Sequence, residues 1–355
     1  FLQVALLVVL VSFAAEFSIV FNDSMMKLLV ADEHVGRISN IAWGLGYAGG
    51  MIVLFIVTLL VSSDPQTGKT LLGLDPLFGL DAAAGEDARF AGPLSAVWYL
   101  VFLLPLFFFT PDIRTTTPLR TALVSSVSEL TATLRETWQR KGILRFLVAR
   151  MLYQDGVNGL LSFGGIYAVA TFGWTTLEIG LYGIILNIAA IFGCFLAGML
   201  DARWGSKKVV ILSLGLLIVA ALGIISTQPG YTLFGFMPLS AAESAALFGT
   251  AAEKVYVFYG LLIGLAFGPV QASSRSYLAR SIAPEEAGRY FGLFALSGRA
   301  TTYLAVLLYT LILTWSGSMR LAMASFILFF AAGLFLLLKT PYPASAGRMD
   351  GPREH

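Results

Sequence analysis

Apolar residues in this chain fall into nine long blocks separated by short polar stretches, at roughly 1–22, 38–61, 93–110, 145–171, 177–200, 208–227, 255–278, 289–314 and 319–338. About 20 apolar residues of helix cross a hydrocarbon core about 30 Å thick. Each block therefore predicts a membrane-spanning helix, and the chain as a whole an all-α integral membrane fold. Within the blocks small residues recur every four positions: Gly260, Gly264 and Gly268; Ala189, Gly193 and Ala197; Gly46 and Gly50. Such stripes let membrane helices approach closely, and packing is the role expected of them.

The two longest polar stretches differ in kind. Residues 62–92 hold Asp64, Asp75, Asp81, Glu86 and Asp87 among glycines and prolines, which predicts an irregular loop. Residues 111–144 instead show Leu123, Val127, Leu130, Leu134 and Trp138 at helical spacing, with Glu129, Arg135, Glu136 and Arg140 between them. That pattern suits an amphipathic helix on the membrane surface, or equally a short soluble helix packed on the bundle. The tail from Tyr342 is polar and is expected to be disordered.

Composition agrees with the pattern: 57% of residues are hydrophobic and only 12% charged, where soluble domains carry roughly a quarter charged residues. A net charge of +2 says nothing for nucleic acid, and none is expected as a partner. The single cysteine, Cys194, cannot form an internal disulfide. The chain begins at Phe1 inside an apolar block with no cleavage-site pattern, so the start reads as a truncation and not as a signal peptide. With the first loop placed inside the cell, 17 of the 23 basic residues fall on inner segments and four on outer ones, Arg150 and Arg299 lying within spans. This positive-inside bias predicts a cytoplasmic C-terminus.

Two turns look alike. Ala31-Asp32-Glu33-His34-Val35-Gly36-Arg37, reaching on to Gly46, matches Ala283-Pro284-Glu285-Glu286-Ala287-Gly288-Arg289, reaching on to Gly298, at a constant offset of 252. Either two similar loops coincide or the chain carries a parallel repeat of the kind found in transporters. The repeat predicts three spans upstream of Phe1 and twelve in all. Residues 1–110 are then the remnant of an N-terminal six-helix half, 111–144 a linker, 145–340 the C-terminal half and 341–355 a tail.

Gly198-Met199-Leu200-Asp201-Ala202-Arg203-Trp204-Gly205-Ser206-Lys207-Lys208 closes the fifth block. The order Gly-x-Leu-x-Asp-x-x-Gly-x-basic-basic resembles the signature loop of the major facilitator superfamily. Gly198 and Gly205 allow close approach and a tight turn. Asp201 can take a helix N-terminus or a basic group as partner, and Arg203, Lys207 and Lys208 suit an anionic inner leaflet. The expected role is to lock a cytoplasmic gate; an ordinary basic inner loop is the plainer alternative.

Glu16, Asp155 and Arg299 lie 10 or 11 positions from basic residues at the inner face, hence about 15–17 Å deep. Charges at that depth face a bundle interior. Two acids against one base leave one carboxylate unpaired. Such a group can load and release a proton, which favours proton coupling; a structural ion pair that merely joins helices is the other reading. Tyr153-Gln154-Asp155-Gly156-Val157-Asn158-Gly159 combines polar groups with glycines expected to loosen the helix, and makes Tyr153, Asp155 and Asn158 a candidate binding point. Asn22, Asn187 and Gln271 are weaker candidates. No grouping suggests a metal site, phosphate loop or nucleophile triad, so no cofactor and no enzyme activity are expected.

Three stretches go beyond the superfamily: Leu152 to Asn158; Gly268-Pro269-Val270-Gln271-Ala272-Ser273-Ser274-Arg275-Ser276 followed by Ala295-Leu296-Ser297-Gly298-Arg299-Ala300-Thr301; and Phe21-Asn22, Gly36-Arg37-Ile38-Ser39 and Trp43-Gly44-Leu45-Gly46-Tyr47. Together they resemble the autophagy-related vacuolar amino-acid effluxers and their bacterial relatives, departing at Gln154 and around Asp23 to Lys27. The resemblance implies a twelve-span facilitator fold and, in fungal members, amino-acid export. On that basis Arg299 would meet a substrate carboxylate and Asp155 its ammonium. The expected function is secondary active transport of a small polar, amino-acid-like solute by alternating access; the alternative is a membrane sensor or assembly factor on a transporter fold. The expected partners are a small-molecule substrate, a proton and the lipid bilayer, in a monomer placed in the cell (inner) membrane if the source is bacterial.

Overall fold

Helices build almost all of the fold, as the apolar blocks predict. The computed structural model describes residues 2–64, 66–111, 118–240, 242, 244 and 246–342; the tail from residue 343 lies outside them. In chain order the helices are α1 (Leu2–Leu29), α2 (Asp32–Ile56), α3 (Glu86–Phe109), α4 (Leu119–Gln139), α5 (Lys141–Phe172), α6 (Thr176–Trp204), α7 (Ser206–Ser226), α8 (Ala251–Ser281), α9 (Ala287–Arg299), α10 (Thr302–Ser316) and α11 (Met319–Leu338). A two-residue hairpin, β1 (Tyr231–Thr232) with β2 (Met237–Pro238), lies between α7 and α8.

Eight helical segments among the described residues are long and apolar enough to cross a membrane. The remaining predicted span is α5, which has the length, at 32 residues, but carries Arg145, Arg150, Gln154, Asp155 and Asn158. Those groups lower its apolar content because α5 is an interior helix, packed against α8, α9, α10 and α11. The apolar surface of α1 is bare by contrast, with Leu10 and Phe13 at 64% and 60% exposure. Lipid is the solvent that accommodates such a helix.

The chain divides into two compact units, Phe1–Leu45 with Ser126–His355, and Gly46–Ser125. In the smaller unit a π turn, Val57–Val61, ends α2. The predicted irregular loop follows, tied by local bonds: Ser62 donates to Asp87 at 3.0 Å and Lys69 pairs with Asp75 at 2.6 Å. Gly85 starts α3 at φ +68°, a conformation that favours glycine. A side-chain carbon at Gly46 or Gly50 would meet nothing within 4 Å among the described residues. Among the described residues that stripe has no partner helix.

In the larger unit the other stripes are such seams. A Cβ on Gly193 would come within 2.8 Å of the Leu265 backbone, and one on Gly264 within 2.5 Å of the Leu186 carbonyl. α6 and α8 thus touch backbone to backbone, the arrangement small residues permit. Gly156 and Gly159 receive the rings of Phe330 and Phe326 from α11. This corrects the expectation that they loosen α5, which is continuous from Lys141 to Phe172. The discontinuity is in another span. The predicted helix 289–314 is interrupted at Ala300 and Thr301, between α9 and α10, with Thr301 at φ −118° and ψ 6°.

At one end of this unit the turns gather. Arg280 Nε, at the end of α8, donates to the Asp32 carbonyl at 3.0 Å. The two similar turns, at Gly36 and Gly288, consequently lie at the same end. Arg145 donates to the Lys339 carbonyl there. α4 joins the same end through Glu136, Arg140, Glu286 and Arg289, which form a chain of ion pairs of 2.6–2.8 Å. The Glu286 hydrogen bond raises the Arg140 guanidinium further above its ordinary value. Thr133 and Thr137 are the buried positions of α4, while Val127, Leu130, Leu134 and Trp138 stay exposed. A helix packed as a soluble element would bury those four; one resting on lipid leaves them outward.

Candidate functional site

A cavity of about 250 Å³ lies among α1, α2, α5, α8 and α9, near the middle of the spans. Its lining includes Glu16, Asp23, Trp43, Arg150, Gln154, Asn158, Gln271, Arg275, Phe294 and Arg299. Drug-sized ligand sites run to roughly 300–1,000 Å³, so this one suits a small metabolite. Helical spacing explains the polar wall on α5. Arg150, Gln154 and Asn158 are separated by four residues each, so they stack on one face. Gln154 donates to Asn158 Oδ1 at 3.1 Å.

Two ion pairs join α1 to the other side of the cavity. Asp23 pairs with Arg275 at 2.7 Å, both side chains 10% exposed. Arg275 also donates through Nε to Ser39 Oγ at 2.9 Å and through Nη2 to the Ser39 carbonyl at 3.0 Å. It is thereby bonded to α1 and α2 at once. The second pair is Glu16 with Arg299, the short-range partnership that two acids and one base at a common depth allow. Asp23 and Arg275 stand 252 residues apart, the offset of the repeated turns.

Of the predicted residues, Glu16, Asn158, Gln271 and Arg299 line the cavity. Asp155 and Tyr153 do not. Tyr153 is buried and shares a 2.6 Å hydrogen bond with Ser274 on α8. Asp155 is 1% exposed, and neither carboxylate oxygen has a hydrogen-bond partner among the described residues. The hydroxyl of Thr301, at the break between α9 and α10, is the polar group that faces it. Asn22 is exposed and away from the lining, and Asn187 Oδ1 is buried without a partner. Sequence reasoning passed over Arg150, Asp23 and Arg275. Arg150 was visible as a basic residue inside a span, but Asp23 and Arg275 read as the polar ends of their helices.

The Asp201 cluster forms a second polar site, at the end where the turns gather. Asp201 is fully buried and pairs with Arg280 at 2.7 Å. Ser206 donates to it at 3.0 Å and Ser276 at 3.3 Å. Gly36 at the start of α2 has no room for a Cβ, which would overlap the Asp201 carboxylate. Gly205 makes the turn at φ +81°. Lys207 donates to the Leu338 and Thr340 carbonyls at the end of α11, where a cation suits the helix dipole. Gly198 packs on Arg37, whereas Arg203 and Lys208 are exposed. Among the described residues no group of His, Cys, Asp and Glu is placed to hold a metal.

The chain is a multi-pass helical bundle with a polar, ion-paired cavity among its spans and a loop of the facilitator type. The model of the Atg22-like vacuole effluxers matches residues 31–346, and the chain belongs to that family. Autophagy-related protein 22-1 of Aspergillus fumigatus is 25% identical over 75% of this chain and 41% of its own length. Autophagy-related protein 22-2 of Aspergillus clavatus is 24% identical over 80% and 44%. An uncharacterized MFS-type transporter, YxiO of Bacillus subtilis, is 22% identical over 92% of this chain and 68% of its own. The chain thus spans about two fifths of the length of these fungal relatives. It is an all-α, multi-pass membrane protein of the major facilitator type.

Proposed function

We propose that this protein is a secondary active transporter that moves a small polar, amino-acid-like solute by alternating access, with a proton taken up at Asp155. The observation that carries the reading is the pair of ion pairs across the cavity, Asp23–Arg275 and Glu16–Arg299. Each joins a helix before the linker to one after it, so opening and closing these bonds is how two bundles would rock about a central solute. The basic-residue bias supports a cytoplasmic position for the Asp201 end, which then serves as the lock of that gate. Efflux is the direction stated for the family's vacuolar members.

Asp155 is assigned the proton because an ionised carboxylate with no cation paired to it among the described residues is expensive to bury, and protonation removes that expense. Its place beside the α9–α10 break connects its charge state to an interrupted span. The test is solute exchange by the intact protein in proteoliposomes, across a panel of small polar metabolites, with and without a pH gradient. The wild type is expected to exchange at least one solute and to accumulate it when the gradient is imposed. Asp155→Asn should keep the exchange and lose the response to the gradient. An Asp155→Asn protein that still accumulates solute with the pH gradient removes the proton assignment, and failure to exchange any solute removes the transporter reading.

A further inference from the structure

We infer that Arg150 is the carboxylate-binding residue of the central cavity, so that the solute enters as an organic acid anion or carries a carboxylate. The inference rests on the reading of that cavity as the solute site. Its lining holds three guanidinium groups, on Arg150, Arg275 and Arg299, against two carboxylates, on Glu16 and Asp23. Both carboxylates are taken: Asp23 by Arg275 at 2.7 Å, and Glu16 by Arg299. Arg150 has no carboxylate within ion-pair distance among the described residues, although it is only 8% exposed. The charged groups that face it from further off are Asp23, already engaged, and Arg299, of like sign. A buried cation without a counter-charge is unfavourable until something supplies one. In a cavity that receives solute, the solute is that something.

The local geometry holds the guanidinium ready for it. Nη1 donates to the Phe294 carbonyl at 2.7 Å and to Ser297 Oγ at 3.1 Å. The guanidinium carbon lies 3.5 Å from the centre of the Phe294 ring, an attractive stacking that Arg makes well and Lys does not. Gly298 leaves the space, since a Cβ there would come within 2.6 Å of Nη1. α9 therefore fixes one side of the group while Nε and Nη2 donate to none of the described residues. Two adjacent N–H donors of one guanidinium match the two oxygens of a carboxylate. Arg299, the residue the sequence favours for this task, is instead paired and largely exposed.

The experiment compares acids with their own amides on the intact protein. Acetate, propionate, lactate, pentanoate, L-alanine and L-phenylalanine are each tested beside the corresponding amide, by binding calorimetry in detergent and by exchange in proteoliposomes. At least one acid is expected to bind, with its amide weaker by roughly 10–100-fold, the range for a hydrogen bond to a charged group. Arg150→Gln should erase the difference between acid and amide, and Arg150→Lys should keep part of it. Size-exclusion profiles show whether Arg150→Gln folds. If it does not, Gly298→Ala gives the same reading, because it displaces the guanidinium without removing it. Amides or amines that bind the wild type as tightly as the acids overturn the inference, as does acid binding by Arg150→Gln at wild-type affinity or no binding of any acid. In each of these cases exchange of the neutral or cationic solutes leaves the transporter reading standing.

Discussion

Arg275→Gln is expected to abolish transport and to destabilise the larger unit by about 3–5 kcal/mol, the range for breaking one side of a buried ion pair. Arg275 is bonded to Asp23 on α1 and to both the hydroxyl and the carbonyl of Ser39 on α2. Its loss leaves the Asp23 carboxylate buried with no cation and removes both of the guanidinium's bonds to Ser39. Asp23→Asn should be milder, since the guanidinium keeps its two bonds to Ser39. The double variant Asp23→Asn/Arg275→Gln should recover part of the stability, because no charge is then stranded. Thermal unfolding in detergent reads all three variants. A single Arg275→Gln as stable as wild type would contradict the assignment of this pair as the joint that holds α1 and α2 to α8.

Arg280→Ala is expected to loosen the end of the bundle where the turns gather, again at about 3–5 kcal/mol. The Asp201 carboxylate accepts from Arg280, Ser206 and Ser276, and Arg280 also reaches the Asp32 carbonyl on α2. Removing the guanidinium breaks the bond to α2 and strands Asp201 in one step. Hydrogen exchange should therefore speed up at the start of α7 and in the Val30–Gly36 turn together, while the α6–α8 seam near Gly193 and Gly264 keeps its protection. Transport should fall because the gate no longer closes. Acceleration at α7 alone, with the turn before α2 unchanged, would show that Arg280 does not tie the two segments together.

How much of this was legible in the sequence differs from place to place. The helices were, because a bilayer imposes a length and a composition that residues such as 208–227 and 319–338 cannot disguise. α5 was legible too, as the apolar block 145–171, although it carries Arg150, Gln154, Asp155 and Asn158. The Asp201 loop announced itself by spacing. What sequence reasoning missed depends on neighbours distant along the chain. Gly156 and Gly159 look like weak points until Phe330 and Phe326 are seen to fill them. The break at Thr301 has no proline to mark it. Arg150 and Arg299 are indistinguishable as intramembrane arginines in sequence. Only the structure shows that Glu16 neutralises Arg299 and that, among the described residues, no carboxylate lies within ion-pair distance of Arg150.

Alternating access requires that the central cavity open in turn to each side of the membrane. Gln271 lines that cavity, and the chain's single cysteine, Cys194, is buried. A Gln271→Cys substitution in the intact protein with Cys194→Ala can therefore be probed with a membrane-impermeant thiol reagent, applied to one face of sealed, oriented vesicles at a time. Labelling from both faces, with each slowed by an exchanged solute, is the result predicted. Labelling from one face only, under every solute and pH condition, would contradict it.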